Sequence, residues 1–209
     1  MWNNISPVWQ IAFREAWEAF CAGSTPIGAV ICDQNGKVIL HDRNRNNEPQ
    51  TLNTRMAHAE TNILRQLDTR KYDTSSLTLY TTMEPCPMCM GTVLMTNIKR
   101  VRYAAEDSYC GMVHLLDREP YYSQKNVRCD LEGSELQEFQ ITMQAYYELK
   151  HIESGGSSAV FDKFREHCPH AAEAAGILFA DKTLDNAAES KTRISEVYDR
   201  VMNILQGIR

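Results

Sequence analysis

Cys86 and Cys89, in the segment TTMEPCPMC, have the spacing of a metal-binding or redox pair. A Cys-x-x-Cys segment supports three chemistries: thiol–disulfide exchange, a structural zinc site, or part of a catalytic zinc site. Taken alone, the segment leaves all three open. Upstream, the segment HAE adds a third candidate ligand, His58, and a carboxylate two residues later, Glu60.

The histidine and the two cysteines together make the three protein ligands of a catalytic zinc site, which leaves a fourth position for water. Glu60 can face that position and take a proton from the zinc-bound water, whose pKa the metal lowers towards neutrality. A structural zinc site would need a fourth protein ligand. Three residues are candidates for it: Cys110, His114 and His41. The His-x-Glu pattern favours the catalytic interpretation, because the glutamate supplies the proton acceptor that hydrolysis requires.

Apolar periodicity predicts the elements that hold these residues in place. Ser6-Pro7, followed by aromatic residues at helical spacing, indicates a capped amphipathic helix that ends near Gly23. Two apolar runs around Asn35-Gly36 predict a β-hairpin. A polar loop at 43–56 is then followed by a helix from Ala57 to Leu67, a strand at 76–82, a helix at 87–96 and a strand at 100–105. This order predicts an α/β domain whose helices pack on a sheet.

Beyond residue 105 the pattern is weaker. The segment NVRCDL is a candidate edge strand, residues 134–151 have helical spacing, and ESGGSS is typical of a linker. The remainder is predicted to be helical, with an apolar stripe at a period of 3.6 formed by Ile194, Val197, Val201, Ile204 or Leu205, and Ile208. The stripe has three interpretations: packing on its own domain, a lid, or a subunit contact.

Composition restricts the partners. The formal net charge is −5, which disfavours a nucleic-acid substrate, because phosphate binding usually needs a basic surface. No apolar run approaches the roughly 20 residues that span a bilayer. The segment MWNNISPVWQ lacks the basic start and apolar stretch of a secretory signal, so we expect a cytoplasmic protein.

The motifs resemble those of a known family. His-x-Glu with Pro-Cys-x-x-Cys is the signature of the zinc-dependent cytidine/deoxycytidylate deaminase superfamily. The segments HAETNILRQL, LYTTMEPCPMCMG and PIGAV are similar to the branch that contains guanine deaminase, cytosine deaminase and tRNA adenosine deaminase, over roughly residues 5–150. The motifs are specific for the chemistry and much less so for the substrate.

The resemblance implies a three-layer α/β/α fold with a central mixed five-stranded sheet, and the helical pattern after residue 151 adds a C-terminal helical extension that exceeds the usual core of the family. It implies one zinc ion per chain, held by His58, Cys86 and Cys89, with Glu60 as the catalytic proton shuttle. In this chemistry zinc-bound hydroxide adds to the amine-bearing carbon of an aromatic ring. Glu60 protonates the adjacent ring nitrogen, and ammonia leaves.

The resemblance also assigns substrate contacts to Asn44, Ala59, Gly28, Glu84 and Pro85, with Asn47, Asp107 and Tyr109 as secondary candidates. Relatives place their asparagine closer to the histidine than Asn44 lies to His58, which keeps Asn47 as the alternative. At Glu84 and Pro85 the backbone would accept from the departing amine, while the Glu84 carboxylate is expected to cap local structure. Gly28 suits close approach of a base because it has no Cβ.

We therefore expect a deaminase domain at 1–151 and a helical extension at 152–209, which serves as a lid or an oligomer contact. The expected function is hydrolytic deamination of a free nucleobase, nucleoside or related aminated heterocycle, with guanine- or cytosine-type substrates first. The alternative is a tRNA adenosine-to-inosine deaminase, and a more distant one is a non-catalytic deaminase-like binding module. Relatives in this family are commonly dimers, so a homodimer is expected.

Overall fold

The sheet at the centre of the chain is mixed and five-stranded, with the strand order β2-β1-β3-β4-β5. In this computed structural model, which describes residues 1–208, the strands are Gly28–Cys32 (β1), Val38–Arg43 (β2), Thr78–Thr81 (β3), Arg100–Tyr103 (β4) and Arg128–Leu131 (β5). Strand β1 is antiparallel to β2 and β3, whereas β4 is parallel to β3 and β5. The predicted hairpin is confirmed, and Gly36 adopts a φ of 79° in its turn.

Helices cover both faces of this sheet. Within residues 1–208 they are Pro7–Cys21 (α1), Ala59–Gln66 (α2), Pro87–Met95 (α3), Pro120–Gln124 (α4), Ser134–Glu153 (α5), Ala159–His167 (α6), Pro169–Ala180 (α7), Thr183–Glu189 (α8) and Ile194–Ile208 (α9). Successive strand residues point to opposite faces. Ile31 therefore joins Ile63 of α2 in one core, while Val30 joins Phe13 of α1 in the other. The predicted three-layer α/β/α arrangement is confirmed.

The C-terminal helices share the second of these cores. Val197, Val201 and Leu205 of α9 are buried in the same cluster as residues of α1 and α5. The ring of Tyr198 lies 4.5 Å from the ring of Phe139, centroid to centroid. The apolar stripe of α9 thus packs within the chain, which is the first of its three interpretations. The division of the chain after residue 151 stays a prediction.

Local details differ from the sequence-based expectations at the helix ends. The side chain of Ser6 makes no capping hydrogen bond, and α1 begins instead at Pro7, whose ring fixes a helical φ. The second helix begins at Ala59 rather than at Ala57, with His58 as its N-cap. Helix α4 was not predicted. Among residues 1–208, no helix combines the length and the apolarity that crossing a membrane requires.

Candidate metal centre and active site

The three candidate ligands converge at the N-terminal ends of two neighbouring helices. His58 is the N-cap of α2, Cys86 is the N-cap of α3, and Cys89 lies in the first turn of α3. The predicted start of the second helix at Ala57 placed His58 inside the first turn, whereas the helix begins one residue after His58. Neither N-cap side chain bonds the amides of its own helix, so both turn towards the shared site. The partial positive charge of a helix N-terminus favours thiolate there.

The distances fit a single zinc ion. The Nδ1 atom of His58 lies 3.5 Å from Cys86 Sγ and 3.6 Å from Cys89 Sγ. Tetrahedral zinc, with bonds of about 2.0 Å to nitrogen and 2.3 Å to sulfur, needs a separation of about 3.5 Å between those atoms. All three ligand atoms lie within 4.8 Å of one another. One ion can therefore contact all three ligands without a large rearrangement.

No fourth protein ligand accompanies this trio. In the part of the chain that the structure describes, it is the only group of three or more His, Cys, Asp and Glu residues that could hold one metal ion. The Sγ atom of Cys110 donates instead to Asp107, at 3.1 Å. The Nδ1 atom of His41 contacts Glu15, at 2.6 Å. A three-ligand site with one open position is typical of catalytic zinc rather than structural zinc.

Hydrogen bonds among the three candidate ligands shift the pKa of each one. The hydrogen bond between His58 and Cys86 raises the pKa of the His58 imidazole. Hydrogen bonds from Cys89 and His58 lower the pKa of the Cys86 thiol. The hydrogen bond between Cys89 and Cys86, together with burial, raises the pKa of the Cys89 thiol. Metal binding to such groups releases these protons, and the cation then takes over the stabilisation of both thiolates.

Glu60 lies directly beside this group. Its side chain is 3% exposed, and its Oε2 atom accepts a hydrogen bond of 3.4 Å from Cys89 Sγ. Burial, with the nearby charge of Cys86 as the second cause, raises the pKa of Glu60 to about 7. A carboxyl group with such a pKa can both take up and release a proton near neutral pH, which is what an acid–base catalyst requires.

A cavity of about 250 Å³ opens beside His58 and Glu60. Four of the predicted substrate contacts line it: Asn44, Glu84, Asp107 and Tyr109. A larger cavity of about 540 Å³ shares Glu84, Asp107 and Tyr109 with it but does not reach the three ligands. The smaller cavity is therefore the one in which ring chemistry can take place.

Asn44 follows strand β2 directly and is 2% exposed. Its Oδ1 atom accepts from the backbone N–H of Asn46, which orients the side chain. The loop around it is held by ion pairs, in which Arg43 and Arg45 both contact Glu48. This rigid loop presents Asn44 to the cavity.

The other predicted contacts lie outside the cavity lining, among them Asn47, Ala59 and Pro85. The Nδ2 atom of Asn47 donates to the Gly23 carbonyl and to the Tyr147 hydroxyl. The Pro85 carbonyl accepts from the amide of Met112, at 3.1 Å. The roles of these residues at a bound base stay predictions.

Gly28 has a packing role in this structure. A Cβ atom there would lie 2.1 Å from the Ala12 carbonyl oxygen and 2.7 Å from the amide nitrogen of Ala16. Both of these are backbone atoms of α1, so only glycine lets α1 approach β1 this closely. The residue does not line the catalytic cavity. Its predicted approach to a base stays a prediction.

The Glu84 carboxylate holds the loop that carries Asp107 and Tyr109. Its two oxygens accept from the amides of Asp107, at 3.1 Å, and of Val113, at 2.9 Å. Gly111 lies against this carboxylate, since a Cβ atom there would come within 2.3 Å of it. One side wall of the cavity thus depends on a single half-buried carboxylate.

Among the lining residues that were not predicted from the sequence, four come from beyond the sheet: Gln144, Glu148, Val160 and Phe164. The first two belong to α5 and the last two to α6, so the helices after the sheet complete the site. One signal was present, because Gln140, Gln144 and Glu148 recur every four positions along α5. No local pattern indicated that α6 would fold back onto the cavity.

Comparison with known proteins agrees with this geometry. The model of the cytidine and deoxycytidylate deaminase zinc-binding region matches residues 3–105. A tRNA-specific adenosine deaminase of Bacillus subtilis is 34% identical over 125 residues, which span 56% of this chain and 73% of that protein. The chain belongs to the zinc-dependent cytidine and deoxycytidylate deaminase family.

Two further similarities bear on the branch. A probable cytosine deaminase of Schizosaccharomyces pombe is 32% identical over 90 residues, 43% of this chain and 53% of that protein. The structure of a tRNA:A34 deaminase is 28% identical, with a TM-score of 0.50, and covers 60% of this chain and 89% of that one. Members of the family hydrolyse the C–N bond of cyclic amidines, and zinc is their cofactor. The match to the family model ends before α5 and α6, which complete the cavity.

Proposed function

We propose that this chain deaminates a free nucleobase, nucleoside or related aminated heterocycle by hydrolysis, with guanine- or cytosine-type substrates first. The observation that carries the proposal is the lining of the catalytic cavity. Four carboxylate residues line it, Glu60, Glu84, Asp107 and Glu148, and no lysine or arginine within residues 1–208 does so. A neutral heterocycle suits such a cavity, whereas phosphate is repelled by it.

The size of the cavity supports a small substrate. Pockets for drug-sized ligands are about 300–1,000 Å³, and the volume of about 250 Å³ lies just below that range. Val160 and Phe164 of α6 line it with apolar surface, and Phe164 is 2% exposed. We propose that α6 is the lid that excludes water from a bound ring. This assigns a lid role to part of the extension after residue 151.

In the proposed reaction a bound zinc ion supplies Lewis acidity and an activated water. Glu60 takes a proton from this nucleophile and delivers it to the ring nitrogen beside the amine-bearing carbon. A C–O bond would form at the ring carbon, and Glu60 would then carry the proton of the added hydroxyl to the amine. The C–N bond would break as the carbonyl forms, and ammonia would depart. Asn44 and the wall formed by Asp107 and Tyr109 orient the ring.

The second candidate is adenosine deamination in tRNA. The similarity to tRNA-specific adenosine deaminases favours it. Such an enzyme must hold a flipped base together with the flanking phosphates. The net charge of −5 and the acidic lining argue against it. A homodimer stays a prediction.

The test is a panel for ammonia release. Purified zinc-loaded protein is incubated with guanine, cytosine, adenine, their nucleosides and tRNA, and ammonia and inosine are quantified. We expect turnover of at least one free base or nucleoside and none of tRNA. Inosine formed only in tRNA would establish the second candidate. Zinc binding without any product would favour a non-catalytic module.

A further inference from the structure

Helix α5 carries a stripe of buried polar residues, Gln140, Gln144 and Glu148, spaced four residues apart. Residues at this spacing lie on one face of a helix. They are 0%, 5% and 8% exposed, respectively. Burying polar groups costs free energy unless each one finds a hydrogen-bond partner. The stripe therefore raises the question of what its polar atoms contact.

Gln144 and Glu148 satisfy each other only in part. The Nε2 atom of Gln144 donates to Oε1 of Glu148, at 2.8 Å. This bond fixes the amide so that Oε1 of Gln144 points elsewhere, and that oxygen is buried without a partner among the described residues. Glu148 has no lysine or arginine partner within residues 1–208. Two acceptor oxygens, one from each side chain, are thus left open.

Both side chains line the cavity that contains His58 and Glu60. Asp107 lines it as well, but its carboxylate is already engaged. Its Oδ1 atom accepts from the amides of Tyr109 and Cys110, and its Oδ2 atom accepts from Cys110 Sγ. The open acceptors of the α5 pair are therefore the ones that can receive hydrogen bonds from a bound molecule.

We propose that Gln144 and Glu148 bind N–H groups of the substrate ring and thereby select a free base over its N-substituted nucleoside. The proposal rests on the proposed function and names the substrate class of the same site. An ionised carboxylate and an amide oxygen can only accept. A ring nitrogen that carries hydrogen in a free base carries the sugar in a nucleoside. The nucleoside lacks this N–H and would leave at least one of the two acceptors without a donor, which a binding site penalises heavily.

The experiment compares free bases with derivatives methylated at the ring nitrogen that bears the sugar in nucleosides: cytosine with 1-methylcytosine, and guanine with 9-methylguanine. Values of kcat/KM are measured for the wild type, for Glu148→Gln and for Glu153→Gln. The last is a matched control, because Glu153 lies on the same helix, is exposed and pairs with Lys182 outside the cavity. Circular dichroism and zinc content verify that each variant folds and binds metal.

We expect the wild type to prefer the N–H base by about 100-fold, since the methylated analogue lacks this N–H and leaves a buried acceptor without its donor. In Glu148→Gln the preference should fall at least about tenfold, mainly because KM for the N–H base rises. Gln144→Met removes the unpartnered acceptor together with the N–H that donates to Glu148, keeps an apolar fit, and should also reduce the preference. Glu153→Gln should behave as the wild type.

Two results would overturn the inference, and they are distinguishable. Suppose the wild type turns over a free base, but Glu148→Gln and Gln144→Met keep the same kcat/KM preference for the N–H base over its methylated analogue. The two side chains then do not recognise the ring N–H, and only this inference fails. If the wild type acts on a nucleoside or on tRNA and on no free base, the selection for N–H is wrong. Absence of turnover with every small molecule would also refute the proposed function.

Discussion

The substitution Gly111→Ala tests how the wall of the cavity is held. A Cβ atom at this position would lie 2.3 Å from Cδ and Oε2 of Glu84 and 2.6 Å from its Oε1. Because the carboxylate is the end of a flexible side chain, it would move away rather than distort the backbone. In moving it would lose the amides of Asp107 and Val113. The expected cost is that of the two hydrogen bonds.

Each hydrogen bond to a charged group contributes about 1.5–3 kcal/mol to the free energy of unfolding. Since Glu84 is only partly buried and regains some solvation, we expect a total near the lower limit for two bonds, about 3 kcal/mol. For a chain of this length that is a fall in Tm of roughly 6–12 °C. Gly111 lies outside the positive-φ region, so alanine adds no backbone strain.

The assay is a double-mutant cycle by urea or thermal unfolding. Gly111→Ala is measured in the wild type and in a Glu84→Ala background, where no carboxylate remains to be displaced. There the substitution should be neutral or slightly stabilising, which gives a coupling of about 2–3 kcal/mol. Gly176→Ala is the control, because a Cβ atom there meets nothing within 4 Å. An equal cost of Gly111→Ala in both backgrounds would refute the reasoning.

Three further outcomes are expected. Burial raises the pKa of Glu148, and the nearby charge of Asp107 adds to this. The hydrogen bond from Gln144 and the proximity of His151 lower the pKa but do not cancel the effect of burial. Because the folded-state pKa lies above the unfolded value of about 4.3, stability falls as the pH rises between these two values and stays lower above them. Glu148→Gln should therefore raise Tm at pH 8, and the gain should vanish below about pH 4; a gain that grows as the pH falls would contradict this. Phe164→Ala should cost about 3–5 kcal/mol in urea unfolding and lower kcat/KM, because it opens a buried wall; unchanged turnover would exclude the lid role. Removal of zinc by a chelator should lower Tm, and Cys86→Ser should lower the metal content well below the one ion per chain expected for the wild type; full metal content in that variant would exclude Cys86 as a ligand.

The sheet and its flanking helices could be predicted from the sequence because their signals are local. Asn35-Gly36 indicates a hairpin by turn chemistry alone, and Gly36 has the positive φ that such a turn needs. The strands β3 and β4 are short apolar runs whose separation leaves room for one crossover helix. Only their ends were displaced, by at most two residues, as is usual for element boundaries.

The metal centre could also be predicted, since three ligands and one carboxylate define the chemistry by their types. The spacing could not assign the remaining contacts, because loop geometry decides which of several similar residues faces a cavity. Asn44 lines the cavity, whereas Asn47 bonds Gly23 and Tyr147. Both are asparagines in the same polar loop, and nothing in their local sequence distinguishes them.

The far wall of the site was missed because it depends on long-range contacts. Phe164 reaches the cavity only because α6 packs against α5 and α7, which the composition of α6 does not reveal. The buried polar stripe of α5 was visible as Gln140, Gln144 and Glu148 at intervals of four. The sequence alone does not indicate that this face of the helix borders the metal centre.

The most direct test of the central claim is ammonia release by zinc-loaded Glu60→Gln, measured beside the wild type with the best substrate from the panel. Glutamine keeps the shape of the side chain but cannot carry the proton. We expect the variant to retain its zinc and its fold and to lose at least about 100-fold in kcat. Retention of full activity together with bound zinc would contradict the assignment of Glu60, and with it the proposed hydrolytic mechanism.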